Sequence, residues 1–236
     1  MRFFESRLRI RILFPVNCQR DATHSTSTMV GQEQAQTQKA ITLKGSAAIV
    51  TEFFAFSINN ILYQRGIYPP ESFTRVSKYG LAMVVTADEK LKAFLATVLE
   101  QLSGWLVAGH VQKLVLVVAG VDSNSVLERW VFDVFAEPPN EHGDRISTKD
   151  EREIMSEIQA IMRQITASVS FLPLLNEACA FDLLLYTDKD LEIPQAWEES
   201  DPRFVENSMQ VRLRSFTTKI HRVDTLVAYK DPDATA

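Results

Sequence analysis

Ala180-Phe181-Asp182-Leu183-Leu184-Leu185-Tyr186-Thr187 is the stretch whose reading decides the fold. Two aromatics and a leucine triplet within so short a run read as a sheet strand, too short for an ordinary helix. Asp188, Lys189 and Asp190 end it abruptly in charge. Helix-like and strand-like segments fill the chain upstream, and the tail of residues 188–236 carries two more strand-like runs joined by polar sequence. The strand therefore reads as the side of a sheet to which mobile material, the tail or another chain, adds through main-chain hydrogen bonds. On this reading the tail supplies wrapping strands more than core.

Working upstream, Ile154, Ile158, Ile161 and Ile165 recur at helical spacing. At 100° per residue Arg163 falls opposite that stripe, so it is expected to face solvent. Thr148-x-x-Glu151 reads as a capping box for this helix. Before it, residues 111–119 are rich in Val and Leu, residues 126–135 set two faces at period two, and turn residues stand between them, which predicts a hairpin. Residues 137–149, with Pro138, Pro139 and Gly143, predict a connection. A second helix follows the capping box Thr86-x-x-Glu89, with Leu91, Leu95, Val98 and Leu102 on one face. Residues 72–85 predict two extended pieces about Tyr79-Gly80. Val50, Phe53, Phe54, Ile58, Ile61 and Leu62 predict a central helix over residues 41–64, closed by Gly66 as a left-handed cap.

The 236 residues and 46% hydrophobic content suit a globular chain with a sizeable core. Net charge is −5. Residues 1–40 hold six basic residues (Arg2, Arg7, Arg9, Arg11, Arg20, Lys39) against three acidic (Glu5, Asp21, Glu33), which leaves the rest of the chain with 19 basic and 27 acidic, a balance of −8. An acidic body argues against nucleic acid as the main partner. The first 40 residues turn into Ser, Thr and Gln and are expected to be a disordered extension, although an Arg-rich start also resembles a transit peptide. No uninterrupted apolar stretch approaches the ~20 residues of a membrane span, so a soluble chain is expected.

Chemistry is sparse. Cys18 and Cys179 are the two cysteines, which gives no disulfide framework and no Cys-x-x-Cys pair. The four histidines, His24, His110, His142 and His221, lack paired-ligand spacing. There is no phosphate-cradling glycine motif and no G-x-S-x-G elbow. No enzyme activity, metal or cofactor is expected. Trp105 and Trp130 read as core packing, while Trp197 stands in a polar, proline-flanked segment where a core role and a binding role are about equally supported.

Seven blocks carry a family resemblance. They are Ile41-Thr-Leu-Lys-Gly-Ser46, Ile61-Leu-Tyr-Gln-Arg-Gly-Ile-Tyr-Pro69, Val126-Leu-Glu-Arg-Trp130, Ile161-Met-Arg-Gln-Ile-Thr166 with Phe171-Leu-Pro-Leu-Leu175, Leu185-Tyr-Thr-Asp-Lys-Asp-Leu191, Trp197-Glu-Glu-Ser200 and Val211-Arg-Leu-Arg-Ser-Phe-Thr-Thr218. From residue 41 to about residue 230 the chain resembles the spindle-assembly-checkpoint branch of the HORMA-domain family.

The resemblance implies an α/β (α+β) HORMA fold over residues 41–236, with three helices packed on a mainly antiparallel sheet and a mobile C-terminal safety belt from about residue 188. It implies a peptide-binding strand at Ala180–Thr187, belt residues Trp197, Arg212, Arg214, Phe216 and His221, and a conformer-dimerisation surface at Arg163, Gln164 and Phe171. In the open state the belt strands lie on the sheet; in the closed state they relocate and free the edge of the 180–187 strand for a wrapped peptide. The implied peptides are basic-aliphatic segments of a checkpoint scaffold, mitotic-arrest-deficient-one, and of the anaphase-promoting-complex activator. Their capture, together with a checkpoint kinase in the mitotic checkpoint complex, inhibits the anaphase-promoting complex and delays anaphase. Self-association of open and closed conformers, resetting by an ATP-driven HORMA remodeller, and residence in the nucleus, at kinetochores and in the cytoplasm are also implied. The HORMA subunit of a translesion polymerase, and behind it a hydrolase, are the alternatives; Ser215-Phe-Thr-Thr218 and Arg163-Gln164 favour the checkpoint branch.

Overall fold

A computed structural model describes residues 5–11, 40–139, 147–188 and 197–232. Most of the 137–149 connection and residues 189–196 lie outside the described residues. In chain order the elements are β1 (Glu5–Arg11), α1 (Leu43–Gln64), β2 (Phe73–Lys78), β3 (Leu81–Thr86), α2 (Glu89–Ala108), β4 (Val111–Gly120), β5 (Val126–Ala136), α3 (Glu151–Ala167), β6 (Cys179–Asp188), β7 (Glu198–Glu199), β8 (Ser208–Arg212), β9 (Phe216–Thr217) and β10 (His221–Lys230). The main sheet runs β7-β1-β6-β4-β5-β10-β8, with β9 also on β10, and its paired neighbours are antiparallel. β2 and β3 form a separate hairpin.

The main core lies between the helices and one face of this sheet, because alternate residues of a strand share a face. Leu114, Leu116 and Val118 of β4, Trp130 and Phe132 of β5, and Phe181, Leu183 and Leu185 of β6 meet Phe53, Phe54 and Ile58 of α1 and Ile158 and Ile161 of α3 in one buried cluster. Phe53 makes edge contacts with Phe132 (5.8 Å between centroids) and Phe216 (4.9 Å). The interleaved residues Val115, Val117, Val131, Leu184 and Tyr186 form a smaller buried cluster on the opposite face. By length and mean hydropathy (1.2) both α1 and α2 could span a membrane, yet the apolar residues of α1 are used in the core.

Local chemistry sets the helix ends. Thr42 Oγ1 accepts from Gly45 N (3.2 Å) at the start of α1. At its end Gly66, at φ +63°, and Ile67 donate back to Tyr63 O and Leu62 O, the paired bonds of a Schellman cap. The two capping boxes expected from the sequence do not form. Asp88 Oδ1 caps α2 by accepting from Leu91 N (2.8 Å), while Thr86 belongs to β3 and its hydroxyl accepts from Asp88 N. Asp150, not Thr148, caps α3, accepting from Arg152 N (3.0 Å). In each case an aspartate two residues further on takes the cap, and its carboxylate also suits the positive end of the helix.

Of the first 40 residues the structure describes 5–11 and 40, and Glu5–Arg11 is a strand of the main sheet; a composition average hid the local alternation of Arg7, Arg9 and Arg11 with Leu8 and Ile10. One expectation fails more substantially, for the tail is not mere wrapping. β10 pairs along β5 from His221 to Tyr229, and Phe216, Val223 and Val227 are fully buried in the main core.

One buried ion pair joins three parts of the fold. Arg65, at the end of α1, bonds Glu128 of β5 through Nε (2.6 Å) and Nη2 (2.5 Å), and Nη2 also donates to Pro173 O after α3. The other Glu128 oxygen accepts from Trp130 Nε1 (3.0 Å). Breaking one side of such a pair strands a charge in the interior. Glu128→Gln is therefore expected to lower unfolding stability by about 3–5 kcal/mol, read by urea denaturation.

Candidate functional site

The site is built on β6. Its register with β4 (Leu184↔Val115, Leu183↔Leu116, Asp182↔Val117) satisfies one edge of its backbone. The other edge needs partners as well, because Phe181 to Thr187 are all buried. β1 supplies them in antiparallel register, from Glu5↔Asp188 through Arg7↔Tyr186 and Arg9↔Leu184 to Arg11↔Asp182. β7 pairs on the far side of β1 (Leu8↔Glu199, Arg9↔Glu198). The strand that pairs with this edge of β6 is Glu5–Arg11, not the tail that the sequence suggested. The tail strands β8–β10 lie at the opposite side of the sheet, beyond β5.

Residues 197–207 carry the chain from the β1 edge back across the second face. Trp197, expected to be either core or anchor, is 7% exposed and packs on Trp105 of α2 with centroids 5.6 Å apart. Arg203 Nη1 donates to Asp182 Oδ2 of β6 at 3.0 Å, with both side chains largely buried. Arg203 also sits at φ +48°, left-handed backbone that a non-glycine residue adopts at some cost. Arg129 of β5 completes the strap. Its Nε donates to Pro202 O (3.3 Å), its Nη2 donates to the Tyr186 hydroxyl (2.8 Å), and its guanidinium lies over the Phe204 ring at 5.0 Å.

The far end of the tail is anchored on α1 and α3. Ser46 Oγ, fully buried on α1, shares hydrogen bonds with Thr218 Oγ1 (2.6 Å) and His221 Nδ1 (2.7 Å). Lys149 Nζ reaches Glu157 (2.7 Å) and Thr217 O (3.0 Å), and Glu157 also accepts from Thr217 N (3.1 Å). Gln164 Oε1 accepts from Arg214 N (2.7 Å).

The sequence-nominated residues thus separate into groups. Trp197, Phe216 and His221 are buried anchors of the tail, whereas the side chains of Arg212 and Arg214 are exposed. Arg163 is exposed on α3, Gln164 is engaged with the tail, and Phe171, 41% exposed, lies 6.3 Å from the Tyr229 ring. Sequence reading missed Arg129, Arg203, Ser46 and the Glu5–Arg11 strand as site elements, though Arg129 and Ser46 both lie within the blocks that carried the resemblance. Cys179, at the head of β6, has its thiol pushed up to about 11 by burial and then by the nearby Glu177 and Glu128 carboxylates. A thiol raised in this way stays protonated at neutral pH, which disfavours a nucleophilic role for it.

Comparison with known proteins gives a consistent picture. The HORMA domain profile matches residues 46–221. The chain is 65% identical over 190 residues to the mitotic spindle assembly checkpoint protein MAD2A of Dictyostelium discoideum, covering 80% of this chain and 93% of that protein. Identity to the human MAD2A checkpoint protein is 55% over 199 residues, covering 84% of this chain and 97% of the relative. A chain in the crystal structure of the mitotic checkpoint complex superposes with a TM-score of 0.73 at 46% identity, covering 79% of this chain and 99% of that one. Caenorhabditis elegans HTP-2 bound to the HIM-3 closure motif shares the fold, with a TM-score of 0.65 at 15% identity over 80% of this chain and 92% of its own.

The strap gives a test that leaves backbone strain out of account. Arg203→Gly removes the Asp182 ion pair while suiting the positive φ at that position. Amide exchange across residues 197–207 is expected to quicken by roughly tenfold or more, as for loss of a charged hydrogen bond. Exchange in α1 should stay unchanged.

Proposed function

The chain belongs to the HORMA-domain family, and from that premise we propose that it is a spindle-assembly-checkpoint protein that works as a peptide clamp. The observation that carries this reading is the position of the tail. With β8–β10 held beyond β5, the outer edge of β6 is left to an added strand, and residues 197–207 cross over it as a strap. A short extended peptide bound there would gain main-chain hydrogen bonds along β6 and enclosure by the strap, the mode of strand addition. The relatives that bear spindle-checkpoint names match over nearly their whole length, which favours this reading over a translesion-polymerase subunit.

In this role Ala180, Phe181, Asp182, Leu183, Leu184, Leu185, Tyr186 and Thr187 form the receiving strand, and Trp197, Phe216 and His221 hold the belt closed around it. Arg212 and Arg214 belong to the outward face of the belt. The captured segments are basic-aliphatic peptides of the checkpoint scaffold mitotic-arrest-deficient-one and of the anaphase-promoting-complex activator, and with a checkpoint kinase the clamp forms an inhibitor that delays anaphase. It acts as an adaptor without chemistry of its own, is reset by an ATP-driven remodeller, and works at the spindle and kinetochore, with nuclear and cytoplasmic pools. Arg163, Gln164 and Phe171 form the surface through which open and closed copies associate.

Two measurements test the proposal. Labelled peptides in which Leu or Ile alternates with Lys or Arg are expected to bind saturably in fluorescence anisotropy and to dissociate faster from the Arg203→Gly protein; failure of every such peptide to bind, even to a chain whose β6 edge has been cleared, removes the clamp. Arg163→Glu is expected to abolish association between conformers in sedimentation while changing monomer stability by no more than about 0.5 kcal/mol, as at other exposed helix positions. A dimer that persists unchanged contradicts the surface assignment.

A further inference from the structure

The strand that fills the β6 edge comes from outside the body of the fold. β1 is separated from α1 by residues 12–42 and pairs with β6 along its whole length, while β7 pairs with its other edge. Directly opposed residues of an antiparallel pair share a face. By register, Leu8 and Ile10 fall on the face of Leu185 and Leu183, where the main core lies, and Arg7, Arg9 and Arg11 fall on the face of Tyr186, Leu184 and Asp182. The sequence Glu5-Ser-Arg-Leu-Arg-Ile-Arg11 therefore has the period-two pattern that this edge requires.

Charge agrees with the pairing. The segment carries three arginines against one glutamate, whereas the rest of the chain beyond residue 40 is acidic. Arg11 is registered on Asp182, and Arg9 lies between Leu184 of β6 and Glu198 of β7. Reach is no obstacle, since residues 12–39 can extend on the order of 90 Å, well beyond a domain diameter. A tethered peptide of this kind meets its site at an effective concentration around the millimolar range.

We propose that Glu5–Arg11 is an internal ligand of the peptide clamp, which occupies the β6 edge in cis and must leave before an outside peptide can be captured. This rests on the reading of the β6 edge as the peptide site. The segment sets a threshold, because an outside peptide binds only in the fraction of molecules whose edge is free. It also states a preference: an extended segment with aliphatic residues at alternate positions and basic residues between them.

Full-length protein and a full-length Leu8→Asp/Ile10→Asp variant would be compared, with a labelled synthetic peptide of the Glu5–Arg11 sequence as probe. The substitutions put charge at the two positions that the register sets opposite Leu185 and Leu183, and leave the sequence of the body unaltered. The probe is expected to bind the variant at least tenfold more tightly than the unaltered chain. Arg7→Glu/Arg9→Glu/Arg11→Glu, which leaves the apolar positions alone, is expected to shift affinity the same way. Equal binding of the probe, or of any alternating basic-aliphatic peptide, to the unaltered and substituted chains overturns the internal ligand and leaves the clamp standing. If no alternating basic-aliphatic peptide binds either chain, both fall. A dimer of the unaltered chain that dissociates in the Leu8→Asp/Ile10→Asp variant would mean that the segment occupies a second copy, and would overturn occupancy in cis.

Discussion

A strand buried on both faces cannot leave an edge bare. From Phe181 to Thr187 the side chains of β6 are enclosed, so a backbone N–H or C=O on its outer edge has little water to turn to, and each one left unpaired would cost about 1–3 kcal/mol. β4 satisfies one edge permanently. The other edge is satisfied by β1, which completes the register. The tail strands β8–β10 lie at the far side of the sheet, and Arg203 ties the 197–207 segment to Asp182 beside that edge. Main-chain hydrogen bonds supply the attachment whatever the sequence of the paired strand, so any selection falls to its alternate side chains.

What keeps this arrangement in place is a set of buried polar contacts at points where distant segments meet. Ser46, Thr218 and His221 bind the turn between β9 and β10 to the first turns of α1. Arg65 and Glu128 bind the end of that helix to β5 and to the chain after α3. Arg129, the next residue on β5, turns to the other face and holds the strap at Pro202 and the β6 strand at Tyr186. Adjacent residues of one strand thus serve opposite faces: Glu128 helps fix the body and Arg129 the belt. Such contacts add specificity of position to a core whose apolar residues alone would tolerate other packings.

The sequence was most informative where periodicity was long. The isoleucine stripe of α3, the aromatic and leucine face of α1, the Val/Leu run of β4 and the period-two pattern of β5 all gave the right elements, because each is an extended pattern that matches its burial. Helix starts were misread by two residues at Thr86 and Thr148, where a better cap stood nearby. The role of β10 was underestimated because a strand that adds to an existing sheet buries residues such as Val223 and Val227 that its own sequence marks only weakly. Arg203 was unreadable in principle: neither its left-handed backbone nor its bond to Asp182, a residue far away in the chain, leaves a local trace. The seven residues of β1 were lost in the average of a Ser/Thr/Gln-rich leader, although their alternation was visible at a shorter window.

The belt and the surface of α3 are not independent. Gln164 and Glu157 each give a side-chain oxygen to a backbone N–H of the tail, at Arg214 and Thr217. If the tail moved, both acceptors would lose those donors, and the two N–H groups would need other partners. Gln164 adjoins Arg163, which is exposed, and Phe171 lies beside Tyr229 of β10. A partner that touches Arg163, Gln164 and Phe171 together therefore meets a surface composed partly of the tail's own contacts. Its affinity must differ between two positions of the tail by whatever those contacts contribute, and by reciprocity its binding must favour one position over the other. A movement of the tail and a contact made on this surface would in this way be coupled through two side chains of α3, without any need for a change in the helix itself.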